Sequence, residues 1–191
     1  MSTIELIAVV FGLLSVILTI RQNIWCWPTG LVQVVLFVGI FYDAKLYSDM
    51  VLHVIYIFLQ FYGWYYWLYG DRGNKILVVQ KLTPNQLVWW TLAVVVLTGM
   101  WGGLMHFCTD ASFAFADAFI MMASLAAQWL MAQKKLQSWY YWIAVDIVAI
   151  FVYWHKGLSL TALLYCLFLV LALLGWISWY SANQRARIAT R

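Results

Sequence analysis

The sequence predicts an all-α membrane protein of seven transmembrane helices, built as two three-helix repeats around one linking helix. Three observations carry that expectation. Of the 191 residues, 66% are hydrophobic and 9% charged, with a mean hydropathy of +0.86, whereas a soluble domain of this length would carry a charged shell. The stretch Gly63-Trp64-Tyr65-Tyr66-Trp67 returns 112 residues later as Gly175-Trp176-Ile177-Ser178-Trp179. At the same ungapped shift Leu13 meets Leu125, Leu18 meets Leu130, Trp27 meets Trp139 and Leu46 meets Leu158, so the chain reads as two copies of one unit. Lysine and arginine, finally, fall almost wholly on one side of the predicted spans.

A span needs roughly 20 mostly apolar residues, and seven segments qualify: 4–20, 27–42, 49–68, 87–107, 113–131, 139–154 and 160–180. Met1-Ser2-Thr3-Ile4-Glu5 has no basic n-region and no small-residue cleavage site, so the first segment is expected to be a span and not a removed signal. The segments 27–42 and 139–154 are short and are expected to stand steeply or to carry tryptophan at the interface. The polar stretch 70–86 ends in Thr83-Pro84, a cap with proline at the first helical position, and reads as the linker before the fourth span. Cys26, Cys108 and Cys166 lie in separate segments, which makes neither a disulfide framework nor a metal cluster.

One side of the membrane receives Arg21, Arg72, Lys75, Lys81, Lys134, Lys135, Arg185, Arg187 and Arg191, and the other only Lys45 and Lys156. Nine against two places the N-terminus outside and the C-terminus in the cytoplasm, and it assigns the net charge of +4 to topology and not to a nucleic-acid partner. Three crossings per repeat would invert the second copy, and one extra crossing restores its direction. The expected organisation is therefore a SWEET-like 3+1+3 arrangement of parallel repeats: 1–69 as the first three-helix repeat, 70–110 as linker and fourth helix, and 111–191 as the second repeat with a basic tail. Such an architecture carries a small solute along the seam between its halves.

Polar side chains inside the spans mark that seam. On span 3, His53, Gln60, Trp64 and Trp67 are spaced seven, four and three residues apart and share one helical stripe. Asp117, Ser124 and Gln128 form a stripe on span 5, and Trp139, Trp142, Asp146 and Tyr153 form one on span 6. Gln33 is the strongly polar residue deep in span 2. The bland readings are interhelical glue for Ser124 and Gln33, an interfacial belt for most tryptophans, and interfacial placement for His106 and His155. Glu5 and Asp117, equivalent at the 112-residue shift, read as outer-surface acids or helix N-terminal charges. Asp146 stands roughly 12 Å inside span 6, at about 1.5 Å of rise per residue, and a carboxylate at that depth is functional by default. Amide, carboxylate and indoles, including Trp142 and Trp176, make a cage for a flat, polar, cationic ring. The echo also fails informatively: His53 aligns with Tyr165, Gln60 with Ala172, and Asp146 with Val34.

Asn23-Ile24-Trp25-Cys26-Trp27-Pro28-Thr29-Gly30, followed by Leu46-Tyr47-Ser48-Asp49 and Tyr62-Gly63-Trp64-Tyr65-Tyr66-Trp67, resembles the PnuC family of vitamin transporters. The second half, from Trp139-Tyr140-Tyr141-Trp142 to Gly175-Trp176-Ile177-Ser178-Trp179, is similar to it as well. The resemblance implies a bundle in the bacterial inner membrane and facilitated diffusion of an unphosphorylated vitamin. It implies a functional link to a cytoplasmic kinase that traps the vitamin, with no resident cofactor, and it leaves homo-oligomerisation open. The Trp-x-x-Trp motifs map onto Trp64/Trp67 and Trp176/Trp179, at the ligand site or its gates. The family's polar position on the sixth span, often Asn in the nicotinamide riboside branch, maps onto Asp146. Nicotinamide riboside is expected on family frequency, with thiamine, also a cation, as the alternative; neutral riboflavin fits an acidic site less well.

Two other readings compete. Asp117, Asp146 and His53 would serve as the relay of a proton-coupled transporter. A haem protein would need two of His53, His106 and His155 facing each other at one depth, and they are placed on different spans. Neither a Ser-His-Asp set nor a zinc or phosphate-loop motif is present in the sequence.

Overall fold

The computed structural model describes residues 3–43, 45, 47–70, 77–108 and 113–189; Leu46, Arg72, Lys75 and Arg191, used above, lie outside the described residues. Among the described residues, seven α-helices follow one another: α1 (Thr3–Ile20), α2 (Cys26–Asp43), α3 (Tyr47–Tyr69), α4 (Pro84–Cys108), α5 (Ala114–Ala132), α6 (Ser138–His155) and α7 (Ser159–Ala189). Each expected span coincides with one helix. The exception in length is α7, which runs nine residues past its expected end: the apolar run stops near Tyr180, whereas the helix continues through a polar, basic stretch in which Asn183 is buried.

Five helices (α1, α2, α4, α5 and α7) are long and apolar enough to cross a membrane by length and composition. The other two, α3 and α6, are as long as a span but carry Tyr, Trp, His, Gln and Asp, which lowers their hydropathy. Ile4, Val10, Val96, Phe107, Leu160 and Val170 are exposed, as lipid-facing side chains are and as the outside of a soluble protein is not.

Within each half, consecutive helices pack on one another: α1 on α2 and α2 on α3, then α5 on α6 and α6 on α7. The halves meet along α3 against α5 and α1 against α7, while α4 lies on the outside of α5. Alanines make the α5 contacts close: Ala123, Ala126 and Ala127 pack with Leu130, Val94 and Val145 in one buried cluster. The start of α4 is a reciprocal cap, in which the Gln86 amide donates to Thr83 Oγ1 at 3.3 Å and the Thr83 amide donates to Gln86 Oε1 at 3.0 Å.

The 112-residue shift reappears in the backbone. After α1 and after α5, Gln22 (φ 54°) and Lys134 (φ 50°) take the left-handed conformation; after α2 and α6, Lys45 (φ 57°) and Gly157 (φ 74°) do the same. The hydrogen bonds Gln22 to Thr19 and Asn23 to Leu18 are matched by Lys134 to Met131 and Lys135 to Leu130. At Gly63 on α3 a Cβ would collide with the Trp27 ring, and at Gly175 on α7 with the Trp139 ring. The glycine of each Gly-Trp-x-x-Trp therefore seats an indole from the preceding helix.

Candidate functional site

A cavity of about 330 Å³ lies between the halves, walled by α1, α2, α3, α5, α6 and α7. That volume is at the small end of natural ligand sites. Glycines shape its polar wall. A Cβ at Gly12 would stand 2.7 Å from Gln33 Nε2, and one at Gly30 would strike Gln60 Nε2 and stand 2.9 Å from Ser15 Oγ. Each glutamine thus occupies space that the facing helix leaves by lacking a side chain. Ser15 donates to the Cys26 carbonyl at 2.8 Å, which ties α1 to the first turn of α2 beside that wall.

Seven of the eleven residues singled out in the sequence line this cavity: Gln33, His53, Gln60, Ser124, Gln128, Trp142 and Asp146. His53 Nδ1 lies 2.9 Å from the Asp49 carbonyl. A carbonyl only accepts, so Nδ1 carries the proton and Nε2 is the free nitrogen. Phe41 and Phe37 hold the ring at 4.9 and 5.4 Å. Ser124 and Tyr56 both line the cavity, from α5 and α3. Asp146, 4% exposed, has no basic partner among the described residues.

The other four do not line the cavity. Asp117 pairs with Lys156 at 3.0 Å, joining α5 to the α6–α7 turn. Trp64 packs against the buried cluster of Cys26, Trp27 and Ala132, and Trp176 packs against Tyr140 and Tyr180. Trp67 lies one layer further on. The reason is helical phase: the two tryptophans of each motif, three residues apart, point in different directions, and the second is the one that bonds across the seam.

Sequence reasoning passed over Asp49, Tyr56, Tyr165 and Trp27 as site residues, and all four line the cavity, as do Trp139 and Tyr153 of the span-6 stripe. A signal for Trp27 was present, since it is equivalent to Trp139 at the 112-residue shift. Tyr153 stacks on Tyr165 at 5.2 Å and 18°. Among the described residues, no three His, Cys, Asp or Glu side chains form a metal-binding group.

The two ends of the cavity differ. Asp49 is both a lining residue and exposed, so the cavity reaches the surface at the end where α3 begins. At the other end four indoles run from one half to the other. Trp27 meets Trp67 at 5.3 Å and 85°, Trp67 meets Trp179 at 6.1 Å, and Trp179 meets Trp139 at 5.6 Å and 88°. Both central indoles cross the seam: Trp67 Nε1 donates to the Met131 carbonyl at 3.4 Å, and Trp179 Nε1 to the Thr19 carbonyl at 3.0 Å. Donors and acceptors are each related by the same 112-residue shift. Trp27 and Trp139 are buried in this layer, both 2% exposed.

A multi-pass helical bundle whose seam holds a polar, solute-sized cavity, reaching the surface at one end and sealed at the other, has the form of a small-solute carrier. Comparison with known proteins agrees. Residues 2–181 match the family described as nicotinamide mononucleotide transporter, and the chain belongs to that family of membrane transporters. It is similar to the nicotinamide riboside transporter PnuC of Escherichia coli K12, at 26% identity over 97% of this chain and 88% of that one. It is also similar to the riboflavin/roseoflavin transporter RibM of Streptomyces davaonensis, at 21% identity over 95% and 86%. A crystal structure of the vitamin B3 transporter PnuC superposes with a TM-score of 0.76 at 26% identity, covering 95% of this chain and 82% of that one.

Proposed function

We propose that the chain carries unphosphorylated nicotinamide riboside across the bacterial inner membrane by facilitated diffusion. One observation carries the choice within the family: the cavity wall holds two carboxylates, Asp49 and Asp146, and among the described residues no lysine or arginine. A pyridinium nucleoside is attracted to such a site, and the attraction grows as water leaves it. A mononucleotide would set its phosphate against like charge with no cation to receive it. Gln33, Gln60, Ser124 and Gln128 supply donors and acceptors for ribose hydroxyls and a carboxamide, and Trp142 supplies an aromatic face. Asp117, Trp64, Trp67 and Trp176 act behind the wall in this reading, in holding the mouth and the gate. The similarity to PnuC transporters supports nicotinamide riboside over thiamine, which the same charges would accept.

The proposed architecture is the SWEET-like one: parallel repeats 1–69 and 111–191 related by an axis along the membrane normal, with 70–110 between them. The recurring left-handed turns, the paired Gly–Trp contacts and the exchanged indole hydrogen bonds support it. The basic residues at the ends of α1, α5 and α7 support a cytoplasmic C-terminus. Phosphorylation by a cytoplasmic kinase would then retain the vitamin. Transport into liposomes containing the purified protein tests the mode. Nicotinamide riboside uptake is expected to equilibrate without an ion gradient, and dependence on an imposed proton gradient would favour the proton-coupled rival instead.

A further inference from the structure

The linker before α4 does more than connect the halves. Residues 77–82 run along the sealed end of the cavity, and Val79, 3% exposed, inserts into the cluster that contains Trp139, Trp179, Met131 and Trp67. Polar anchors hold the segment on both flanks of this insertion. Asn183 Nδ2 on α7 donates to the Val79 carbonyl at 2.6 Å. The Gln80 amide donates to the Lys134 carbonyl at 3.0 Å, and the Leu136 amide donates to the Gln80 carbonyl at 2.8 Å. The Leu82 amide donates to Gln137 Oε1 at 2.9 Å. Every one of these partners belongs to the second half.

Lys134 also reaches the first half. Its side chain is 5% exposed, its Nζ donates to the Leu77 carbonyl at 2.9 Å, and the same Nζ stands 4.3 Å from the Trp67 ring centroid. Burying an ammonium is costly unless its donors are used, and here one goes to the strap while the charge sits on an indole face. Burial lowers its pKa to about 8. The repeat supplies no equivalent on the other side. Lys134 corresponds to Gln22 and Gln137 to Trp25, and Trp25 is exposed.

We infer that residues 77–82 are a strap that bolts the closed end of the carrier, with Lys134 as the positioning residue that ties the strap to the gate indole Trp67. The bolt is one-sided. The strap keeps α5, α6 and α7 together at this end, and the cavity opens there when α3 carries Trp67 away from Lys134. Loosening the strap weakens the seal and leaves the solute-binding wall intact. The inference rests on the transporter reading above, but its readout needs no solute, so the two fail separately.

The test uses the native thiol of Cys26, which lines the inner part of the cavity and is 2% exposed, in the full-length protein with Cys108→Ser and Cys166→Ser. Inside-out membrane vesicles are treated with a membrane-impermeant maleimide. Lys134→Met and Asn183→Ala are each expected to raise the labelling rate of Cys26 at least fivefold, and Lys134→Arg to stay within twofold of the parent. Binding of nicotinamide riboside to Asn183→Ala is measured in parallel and is expected to be unchanged, which shows that the wall is folded. Unchanged labelling in both loosening variants would overturn the strap. Equal acceleration in Lys134→Arg would overturn the role given to the long hydrogen-bond donor.

Discussion

Asp146 and the two wall glutamines show how single positions make this site. A buried carboxylate without a basic partner among the described residues is held at a solvation cost, and in the proposed function a cationic solute would offset that cost on binding. Asp146→Asn keeps the shape and removes the charge. It is expected to weaken nicotinamide riboside binding about 10- to 100-fold, or about 1.4 to 2.8 kcal/mol, in calorimetry on detergent-purified protein; an unchanged affinity would remove Asp146 from the site. The glutamines depend on absent side chains elsewhere. Gly30→Ala places a methyl where the Gln60 amide lies, so its loss of affinity is expected to approach that of Gln60→Ala. Periodicity made Gln33, Gln60 and Asp146 legible in the sequence. The roles of Gly12 and Gly30 were not, because which helix a glycine faces is a tertiary fact.

Lys134 adds a pH dependence with a defined sign. Burial lowers its pKa from the lysine value of 10.5 to about 8, so the strapped state holds the proton less tightly than a state with this lysine in water. Stability of the strap is therefore expected to rise as the pH increases from below about 8 toward the unperturbed value, and to be least when the buried group must stay charged. Cys26, facing it from α2, is the titratable neighbour that acts on it. Hydrogen exchange at the Gln80 and Leu136 amides, corrected for intrinsic rate, should show protection rising between pH 7 and 9, and Lys134→Met should flatten that rise.

At the scale of elements, Gly-Trp-x-x-Trp acts as a packing device in both halves. The glycine admits Trp27 or Trp139 against the helix, and the last tryptophan reaches across the seam to a carbonyl of the other half. Gly63→Ala and Gly175→Ala overpack these contacts and should each cost about 1–3 kcal/mol, read as a lower midpoint in thermal unfolding in detergent. Equivalent losses are expected because the contacts are equivalent; a loss confined to one site would contradict the correspondence. The motif itself was visible in the sequence. Its division of labour was not, since Trp64 shares a stripe with the seam residues only if a stripe is taken to be broader than the contact it makes. The strap was equally hidden: residues 77–82 have no helical period, and their anchors lie more than 50 residues away.

The whole molecule was the most legible level. Composition, the 112-residue echo and the partition of basic residues together implied seven helices, and seven are present among the described residues. The hydropathy signal is weakest at α3 and α6, because those two helices spend apolar surface on the polar wall. What sequence could not separate was nicotinamide riboside from other family solutes, since the wall that selects is assembled from six helices. The central claim of the proposed function is that an acidic wall, with no lysine or arginine among the described residues, recognises a cationic, unphosphorylated vitamin. The most direct measurement is calorimetric titration of the purified protein with nicotinamide riboside and with nicotinamide mononucleotide under identical conditions. The account predicts that the riboside binds and that the mononucleotide binds at least 100-fold more weakly, whereas equal binding of the two, or preference for the mononucleotide, would contradict it.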